Sequence, residues 1–220
     1  SSARGNFTRY VNSGGSGSGS LRRATSGYIR HSLGGSKNAT TRLGSARSST
    51  VRLISVFNSF LDRGVAETSR DYKLGDIIGK SASDVLIRIM DFVCPDGGRT
   101  DEGIARDSYV EALSSLPDWG DKAIESLTPN EFLAFIEIYM ANVIEERLVN
   151  DIGNKSFTIP KDIEQVESLQ RQLKEYIKGA VSDAVSKLNI DIRSIDTSRT
   201  KDIVDSIYHT AYDILSELEG

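Results

Sequence analysis

The sequence has a single cysteine, Cys94, in 220 residues, and this scarcity excludes an internal disulfide framework. A chain without disulfides suits a reducing compartment, so we expect a cytoplasmic protein. No apolar run approaches the roughly 20 residues that a membrane-spanning helix needs. No secretory signal peptide is recognisable either. We therefore expect no membrane among the partners of this chain.

The periodicity of β-strands is also missing. No stretch alternates between apolar and polar residues for long enough to argue for a sheet. Hydrophobic residues make up 38 % of the chain, which is enough to bury a core, and they recur at helical spacing. This pattern predicts an all-α protein.

Acidic residues are absent from residues 1–61, a segment that we call the basic arm. Residues 62–220 hold all 31 Asp and Glu residues of the chain. The contrast predicts two domains, a basic Gly/Ser-rich helical arm (1–61) and an acidic helical bundle (62–220). A basic arm suggests either an anionic partner or docking of the arm on the acidic bundle of the same chain. The basic residues of the arm are Arg4, Arg9, Arg22, Arg23, Arg30, Lys37, Arg42, Arg47 and Arg52.

A buried central helix is the clearest element of the sequence. Thr128 and Glu131 form a capping box, in which each side chain accepts a hydrogen bond from the other residue's backbone N–H. Pro129 suits the first helical position, and Gly153 suits the residue that ends a helix. Because apolar residues surround nearly the whole helix, we predict a multi-helix bundle around a buried central helix at about residues 129–152, with a basic N-terminal helical arm.

The basic arm should contain a flexible linker and a helical hairpin. Phe7, Tyr10 and Val11 favour a short amphipathic helix within residues 1–13, and Gly14 to Ser20 has the composition of a linker. The hairpin is expected to comprise a helix over Leu21 to Leu33 that Ser20 could cap, the pair Gly34-Gly35, and a helix from the cap Ser36 to about Asp62.

Four further helices are predicted from caps and apolar periodicity. They cover residues 82–93, residues 101–116 after the cap Thr100, residues 160–188 after a loop at 154–159, and a last helix that Thr197 or Ser198 caps.

No active site is recognisable. Gly79-Lys80-Ser81 resembles the end of a phosphate-binding Walker A loop, but Leu74 stands where that loop needs its first glycine. Ser81 followed by Asp84 instead predicts a helix cap. We expect no ATP binding, no cofactor and no catalysis.

Three other groups could carry chemistry, and each has a simpler interpretation. His209 and Asp213 could share a metal, but one pair without CxxC or HExxH is far short of a zinc site. Cys94 could be a nucleophile, although buried cysteines are commonly structural. An acidic cluster around Arg106 could hold Mg²⁺, face a basic partner, lie in solvent or seat the basic arm. That cluster is Asp101, Glu102, Asp107 and Glu111.

The hairpin of the basic arm is the candidate partner-binding surface. Its cations alternate with apolar residues, which is typical of a docking surface with apolar anchors, here Tyr28 and Leu33, and a charged rim. The alternative is a nucleic-acid-binding helix-turn-helix whose cations contact phosphates. The candidate residues are Arg22, Arg23, Tyr28, Arg30, Leu33, Lys37 and Arg42.

Several motifs carry a resemblance to a known family. They are L-G-G-S at 33–36, R-L-G-S at 42–45, M-D-F-V-C-P at 90–95, D-E-G-I-A-R-D-S-Y at 101–109, I-E-E-R at 144–147 and N-D-I-G at 150–153. With these motifs the chain, from about Ala3 to Leu218, resembles the QatB family of the Qat anti-phage defence systems.

The resemblance implies a non-catalytic component of a bacterial defence system. The family is encoded beside a P-loop ATPase, a QueC-like protein (QatC) and a TatD-like nuclease. QueC-like enzymes activate a carboxy-deazaguanine with ATP and pass it to an amine. The resemblance therefore favours the QueC-like protein as the partner, with the N-terminal end of this chain as its acceptor, and leaves the ATPase and the nuclease as further partners. The alternative function is a nucleic-acid-binding adaptor for the nuclease.

Overall fold

The structure, a computed structural model, describes residues 18–98, 100–153 and 163–217, and gives only the backbone of residues 18, 20, 152, 153, 163, 165 and 166. These ranges contain no β-strand, only an isolated bridge between Ser81 and Ala123, which confirms the all-α prediction. A π-helical segment, Tyr28–Leu33, follows the first helix. The α-helices are α1 (Ser18–Gly27), α2 (Ser36–Thr41), α3 (Ser45–Arg63), α4 (Val65–Tyr72), α5 (Ala82–Val93), α6 (Thr100–Ser114), α7 (Pro129–Gly153), α8 (Ile163–Lys187) and α9 (Thr200–Ser216).

The backbone forms two compact units. The first unit comprises Ser1–Leu43, Ile144–Leu188 and Asp205–Gly220, and the second comprises Gly44–Val143 and Asn189–Val204. The predicted boundary after Leu61 lies inside α3. An independent basic arm over residues 1–61 therefore stays a prediction.

The core of the second unit is built on α7, which confirms the buried central helix. Phe132, Phe135 and Tyr139 are at most 2 % exposed. The ring of Phe57 in α3 lies 4.6 Å from that of Phe132, and the ring of Tyr109 in α6 lies 5.4 Å from that of Phe135. Tilted and edge-on aromatic contacts of this kind add to the stabilisation from burial. The N-terminal part of α7 is therefore packed on the helices that precede it.

The capping box of α7 forms as predicted. The Thr128 N–H donates to the Glu131 carboxylate over 2.7 Å, and the Glu131 N–H donates to the Thr128 hydroxyl over 3.3 Å. Lys122 also donates to Glu131, over 2.6 Å. The cap at α5 is confirmed as well, because the Ser81 hydroxyl accepts from the Asp84 N–H.

The first unit has a core of tyrosines and aliphatic residues. Tyr28, Tyr208 and Tyr212 are each at most 2 % exposed. The Ser26 hydroxyl in α1 donates to the carbonyl of Ser216 at the end of α9 over 2.6 Å. The buried side chains and this hydrogen bond hold α1 against the other helices of the first unit.

The hairpin of the basic arm differs from the prediction in three ways. The first helix begins at Ser18, so Ser18 to Ser20 belong to α1 rather than to a linker, and Ser20 is not its cap. Its last turns are π-helical. The second helix is broken between Thr41 and Ser45, because Gly44 adopts a left-handed φ of 53°. A sequence scan for periodicity does not detect a break of this kind, since apolar residues continue on both sides of it.

Several other boundaries differ by a few residues. Gly35 rather than Ser36 precedes α2 as its cap residue, and α6 ends at Ser114. The last helix begins at Thr200, because Thr197–Arg199 is a short 3₁₀ turn. The predicted helix at 1–13, most of the linker, the loop at 154–159 and the predicted start at Pro160 lie outside the described residues.

Candidate partner-binding surface

The predicted partner-binding residues separate into an exposed set and a buried set. The side chains of Arg23, Arg30, Lys37 and Arg42 are exposed on α1, the π-helical segment and the α2 region. Arg22 is half-buried. The four exposed cations, which we call the basic surface, are accessible to an anionic group of a partner.

Tyr28 and Leu33, the predicted docking anchors, belong to the buried set. They are 2 % and 1 % exposed within this chain's own fold. The expectation that they are exposed is therefore wrong, because the first unit itself covers the apolar side of the segment. The assignment of the seven residues to partner binding stays a prediction. Of these residues, the four exposed cations are the ones that a partner can contact.

Charged residues of the first unit surround the Tyr28 phenol. Burial, followed by the Asp151 carboxylate, raises the pKa of Tyr28 to about 12, although the guanidinium groups of Arg42 and Arg147 oppose the rise. Arg147 pairs with Asp151 at 3.3 Å, four residues along α7. Tyr28 is thus a neutral phenol at physiological pH. Arg42 of the basic surface and Arg147 of the I-E-E-R motif thus both act on the Tyr28 phenol.

A groove runs along α8 beside α1, and we call it the Arg22–Tyr176 groove. The Arg22 guanidinium lies over the Tyr176 ring, 5.1 Å from its centre, a geometry that attracts a cation to the ring face. A cavity of about 450 Å³ on this pair is lined by Leu21, Arg22, Arg171, Gln172, Glu175 and Tyr176. A second cavity of about 250 Å³ shares Arg22, Glu175 and Tyr176 with the first and continues towards Asp183 and Glu217.

Sequence reasoning did not identify this groove. The buried apolar residues of α8, such as Leu173 and Ile177, recur at helical spacing, and Tyr176 lies beside this stripe. A large aromatic residue beside the apolar stripe of a helix, where the rest of the helix is charged, indicates that the aromatic side chain covers a neighbouring surface.

In the second unit, two of the resemblance motifs, M-D-F-V-C-P and D-E-G-I-A-R-D-S-Y, meet around Cys94. The Cys94 thiol is buried and lies 3.5 Å from the carbonyl of Ala105 and 3.6 Å from the Tyr139 hydroxyl. Burial raises the pKa of this thiol, while hydrogen bonds from Tyr139 and Ser49 oppose the rise. A thiol of this kind is mostly protonated, which disfavours a nucleophilic role.

Two arginines bind the backbone at the C-terminal end of α5. Arg52 donates to the carbonyl of Val93 over 2.9 Å, and Arg106 donates to the carbonyl of Cys94 over 3.0 Å. Arg106 also pairs with Asp91 at 2.8 Å. Cations at the negative end of a helix stabilise it. Arg106 therefore has a packing role. Asp101, a member of the predicted acidic cluster, has one too, because it accepts hydrogen bonds from Ser45.

The remaining chemical candidates have local partners. The Gly79 N–H, in the Walker-like segment, donates to the Glu125 carboxylate over 2.6 Å. His209 and Asp213 form an i,i+4 contact of 3.1 Å on α9. Among the residues that the structure describes, no group of three or more His, Cys, Asp or Glu side chains could hold a metal ion. None of the helices in the described ranges has the length and apolarity to cross a membrane.

A comparison with known families finds a match over most of the chain. The model of a family described as QatB, the Qat anti-phage system associated protein, matches residues 34–215. No curated protein and no solved structure matches the chain. The matched residues include the basic surface from Lys37 onward and all the motifs around Cys94.

Proposed function

Because the chain belongs to the QatB family of the Qat anti-phage system, we propose that it serves this system as a non-catalytic cytoplasmic component that binds the QueC-like protein QatC. Membership makes the chain a component of the defence system. The partner and the absence of catalysis are our proposal. The ATPase and the TatD-like nuclease of the system are further partners in the same proposal.

The observation that carries the proposal is the basic surface on a firmly packed segment. Arg23, Arg30, Lys37 and Arg42 are exposed, while Tyr28 and Leu33 hold the backbone beneath them in the core. A segment that is already ordered loses less conformational entropy when it binds. Exposed cations on it speed the encounter with an acidic partner and select against a basic one.

The proposal has a second part, in which the N-terminal end of the chain accepts the deazaguanine group that the partner activates. The support for this part is the resemblance, because QueC-like enzymes pass the group to an amine. Incubation of the chain with QatC, ATP and carboxy-deazaguanine should raise the intact mass of the chain, with the added mass on an N-terminal peptide. An unchanged mass would contradict the acceptor role but would not contradict the binding of QatC.

A nucleic-acid-binding adaptor is the second candidate function. The same four exposed cations favour it, since phosphate binding needs charge but no apolar contact. The two functions differ in their dependence on salt. A DNA complex led by phosphate contacts loses about 10³-fold in affinity or more between roughly 50 and 200 mM salt, whereas a protein interface with an apolar part loses far less.

Titration of the purified chain separates the two functions. The chain is titrated with QatC and, separately, with duplex DNA, each at low and at moderate salt. We expect QatC to bind at both salt concentrations and DNA to bind weakly. If QatC does not bind, while DNA binds tightly and is released by salt, the adaptor function replaces the one proposed.

A further inference from the structure

The Arg22–Tyr176 groove has a mixed chemistry that fits a peptide. Its larger cavity is lined by the Leu21 side chain and the Tyr176 ring, which offer apolar contact, and by the charged side chains of Arg22, Arg171 and Glu175. Its smaller cavity shares Arg22 and Glu175 and adds two carboxylates, those of Asp183 and Glu217. Lys178 pairs with Glu175 at 3.3 Å, but this pair is largely exposed and therefore contributes little. The groove thus has an apolar half and an acidic half.

The segment Arg4 to Val11 of this chain has the complementary chemistry. Its residues are R-G-N-F-T-R-Y-V, with two cations, three apolar side chains and no acidic residue. Phe7 and Tyr10 match the apolar half of the groove, and Arg4 and Arg9 match the acidic half. Opposite charges set the orientation of such a peptide, and the aromatic side chains supply most of its binding energy.

The connection between the segment and the groove is long enough. Helix α1 begins at Ser18, and Leu21 and Arg22, which line the groove, lie within about 6 Å of that start along the helix. Seven peptide steps from Val11 to Ser18 can span up to about 25 Å. The segment itself spans about 26 Å when extended, and the groove from Arg171 to Asp183 rises about 18 Å along α8. Gly14 to Gly17 provide a composition that permits the chain to reverse its direction.

We propose that residues 4–11 of this chain bind in the Arg22–Tyr176 groove of the same molecule. The groove is then an intramolecular docking site that competes with any partner for the N-terminal segment. This inference does not rest on the proposed function, because a docked segment is compatible with QatC binding, with DNA binding or with neither.

Disulfide trapping in the 220-residue chain tests the proposal. Gly179 lines the acidic half of the groove, and a Cβ atom added there meets nothing within 4 Å, so a Gly179→Cys substitution is accommodated. It is combined with Thr8→Cys, which leaves both aromatic side chains and both arginines of the segment in place. The matched control combines Thr8→Cys with Gly103→Cys, since Gly103 is also an exposed helical glycine with open space at Cβ. Cys94 is 1 % exposed and does not compete.

Under mild oxidation the Gly179 pair should form an intramolecular disulfide at least about tenfold faster than the Gly103 pair, because docking raises the local concentration of the segment. Equal rates for the two pairs would overturn the proposal. A disulfide-linked dimer as the main product of the Gly179 pair would also overturn it, since the occupant would then be the segment of a second copy.

Charge reversal in the same background tests the acidic half of the groove. Asp183→Lys should slow trapping severalfold, whereas Glu167→Lys, at an exposed position on α8 outside the groove, should leave the rate unchanged. Adding the single reversal Arg9→Glu to the Asp183→Lys chain should restore part of the rate, because the new pair is attractive while Glu175 and Glu217 remain available to Arg4. Circular dichroism verifies that each variant keeps its helicity. Equal slowing by Asp183→Lys and Glu167→Lys would contradict the proposed charge pairing.

Discussion

The carboxylate of Asp101 accepts two hydrogen bonds from Ser45, one from its backbone N–H and one from its hydroxyl, each 2.9 Å long. Ser45 is the first residue of α3, so a side chain from α6, 56 positions later, caps this helix. A carboxylate at the positive end of a helix is stabilising. The R-L-G-S and D-E-G-I-A-R-D-S-Y motifs are thereby explained as two sides of one packing contact.

Removal of this carboxylate should destabilise the chain. Asp101→Ala leaves the Ser45 N–H without its acceptor, and we expect the free energy of unfolding to fall by about 1–3 kcal/mol. Urea denaturation followed by circular dichroism measures the change. Asp107→Ala is the control, because Asp107 is exposed on the same helix, and it should change stability by less than about 0.5 kcal/mol. Equal effects of the two substitutions would mean that Asp101 does not cap α3.

Gly44 should tolerate no side chain while Asp101 is present. A Cβ atom at Gly44 would lie 2.3 Å from the Asp101 carboxylate, and the φ of 53° is unfavourable for other residues. Gly44→Ala should therefore cost more than Gly64→Ala, since Gly64 also has a positive φ but open space around Cβ.

The Gly44→Ala/Asp101→Ala double variant separates the two causes. The collision is absent from this variant, so its loss of stability should be smaller than the sum of the two single losses. Strict additivity would show that backbone strain alone makes Gly44→Ala destabilising.

The buried face of α7 should not accept a charge. Met140 is 0 % exposed, so Met140→Asp places an unpaired carboxylate in the core and should cost several kcal/mol. Asn130→Asp, at an exposed position in the first turn of the same helix, should have little effect or stabilise slightly. Thermal melts of both variants provide the comparison. A Met140→Asp chain that melts like the parent would make α7 peripheral.

The capping box of α7 should make stability depend on pH in the acidic range. The hydrogen bond from Lys122, followed by that from the Thr128 N–H, lowers the pKa of Glu131 below its ordinary value of 4.5. A lowered carboxyl pKa contributes stability that is fully present above the unfolded-state pKa and is lost as the pH falls through the folded-state pKa. The stability difference between the parent and Glu131→Gln should thus be largest near neutral pH and should shrink below about pH 4.5.

Urea midpoints measured across this pH range give that difference. Glu167→Gln, at an exposed position on α8, is the control and should show no comparable trend. A constant difference between the parent and Glu131→Gln at all pH values would show that the charged form of Glu131 is not favoured by folding.

Local signals in the sequence predicted the elements that depend on neighbouring residues. The Thr128–Glu131 box and the Ser81–Asp84 cap each join residues three positions apart, so their spacing is visible in the sequence. The all-α class followed from the helical period of the apolar residues. The break at Gly44 was missed because apolar residues continue on both sides of it, and the Asp101 cap on Ser45 comes from a residue too distant for local patterns to indicate.

For the candidate site, the sequence predicted the exposed cations but not the burial of the apolar residues beside them. Arg23, Arg30, Lys37 and Arg42 are exposed, as an arm rich in cations suggests. The burial of Tyr28 and the contact of Arg22 with Tyr176 depend on which face of α1 meets the rest of the first unit. An apolar stripe shows that a face is covered, but not whether a partner or the same chain covers it.

The affinity of a charge-reversed chain for QatC tests the central claim most directly. Arg23→Glu combined with Arg30→Glu changes two exposed cations of the basic surface, and Arg193→Glu changes an exposed arginine of the second unit as a control. Calorimetric titration should show the Kd for QatC rising by about tenfold or more, equivalent to about 1.4 kcal/mol, in the double variant and hardly at all in the control. An unchanged Kd in a double variant that keeps its helicity would contradict the assignment of the basic surface to partner binding.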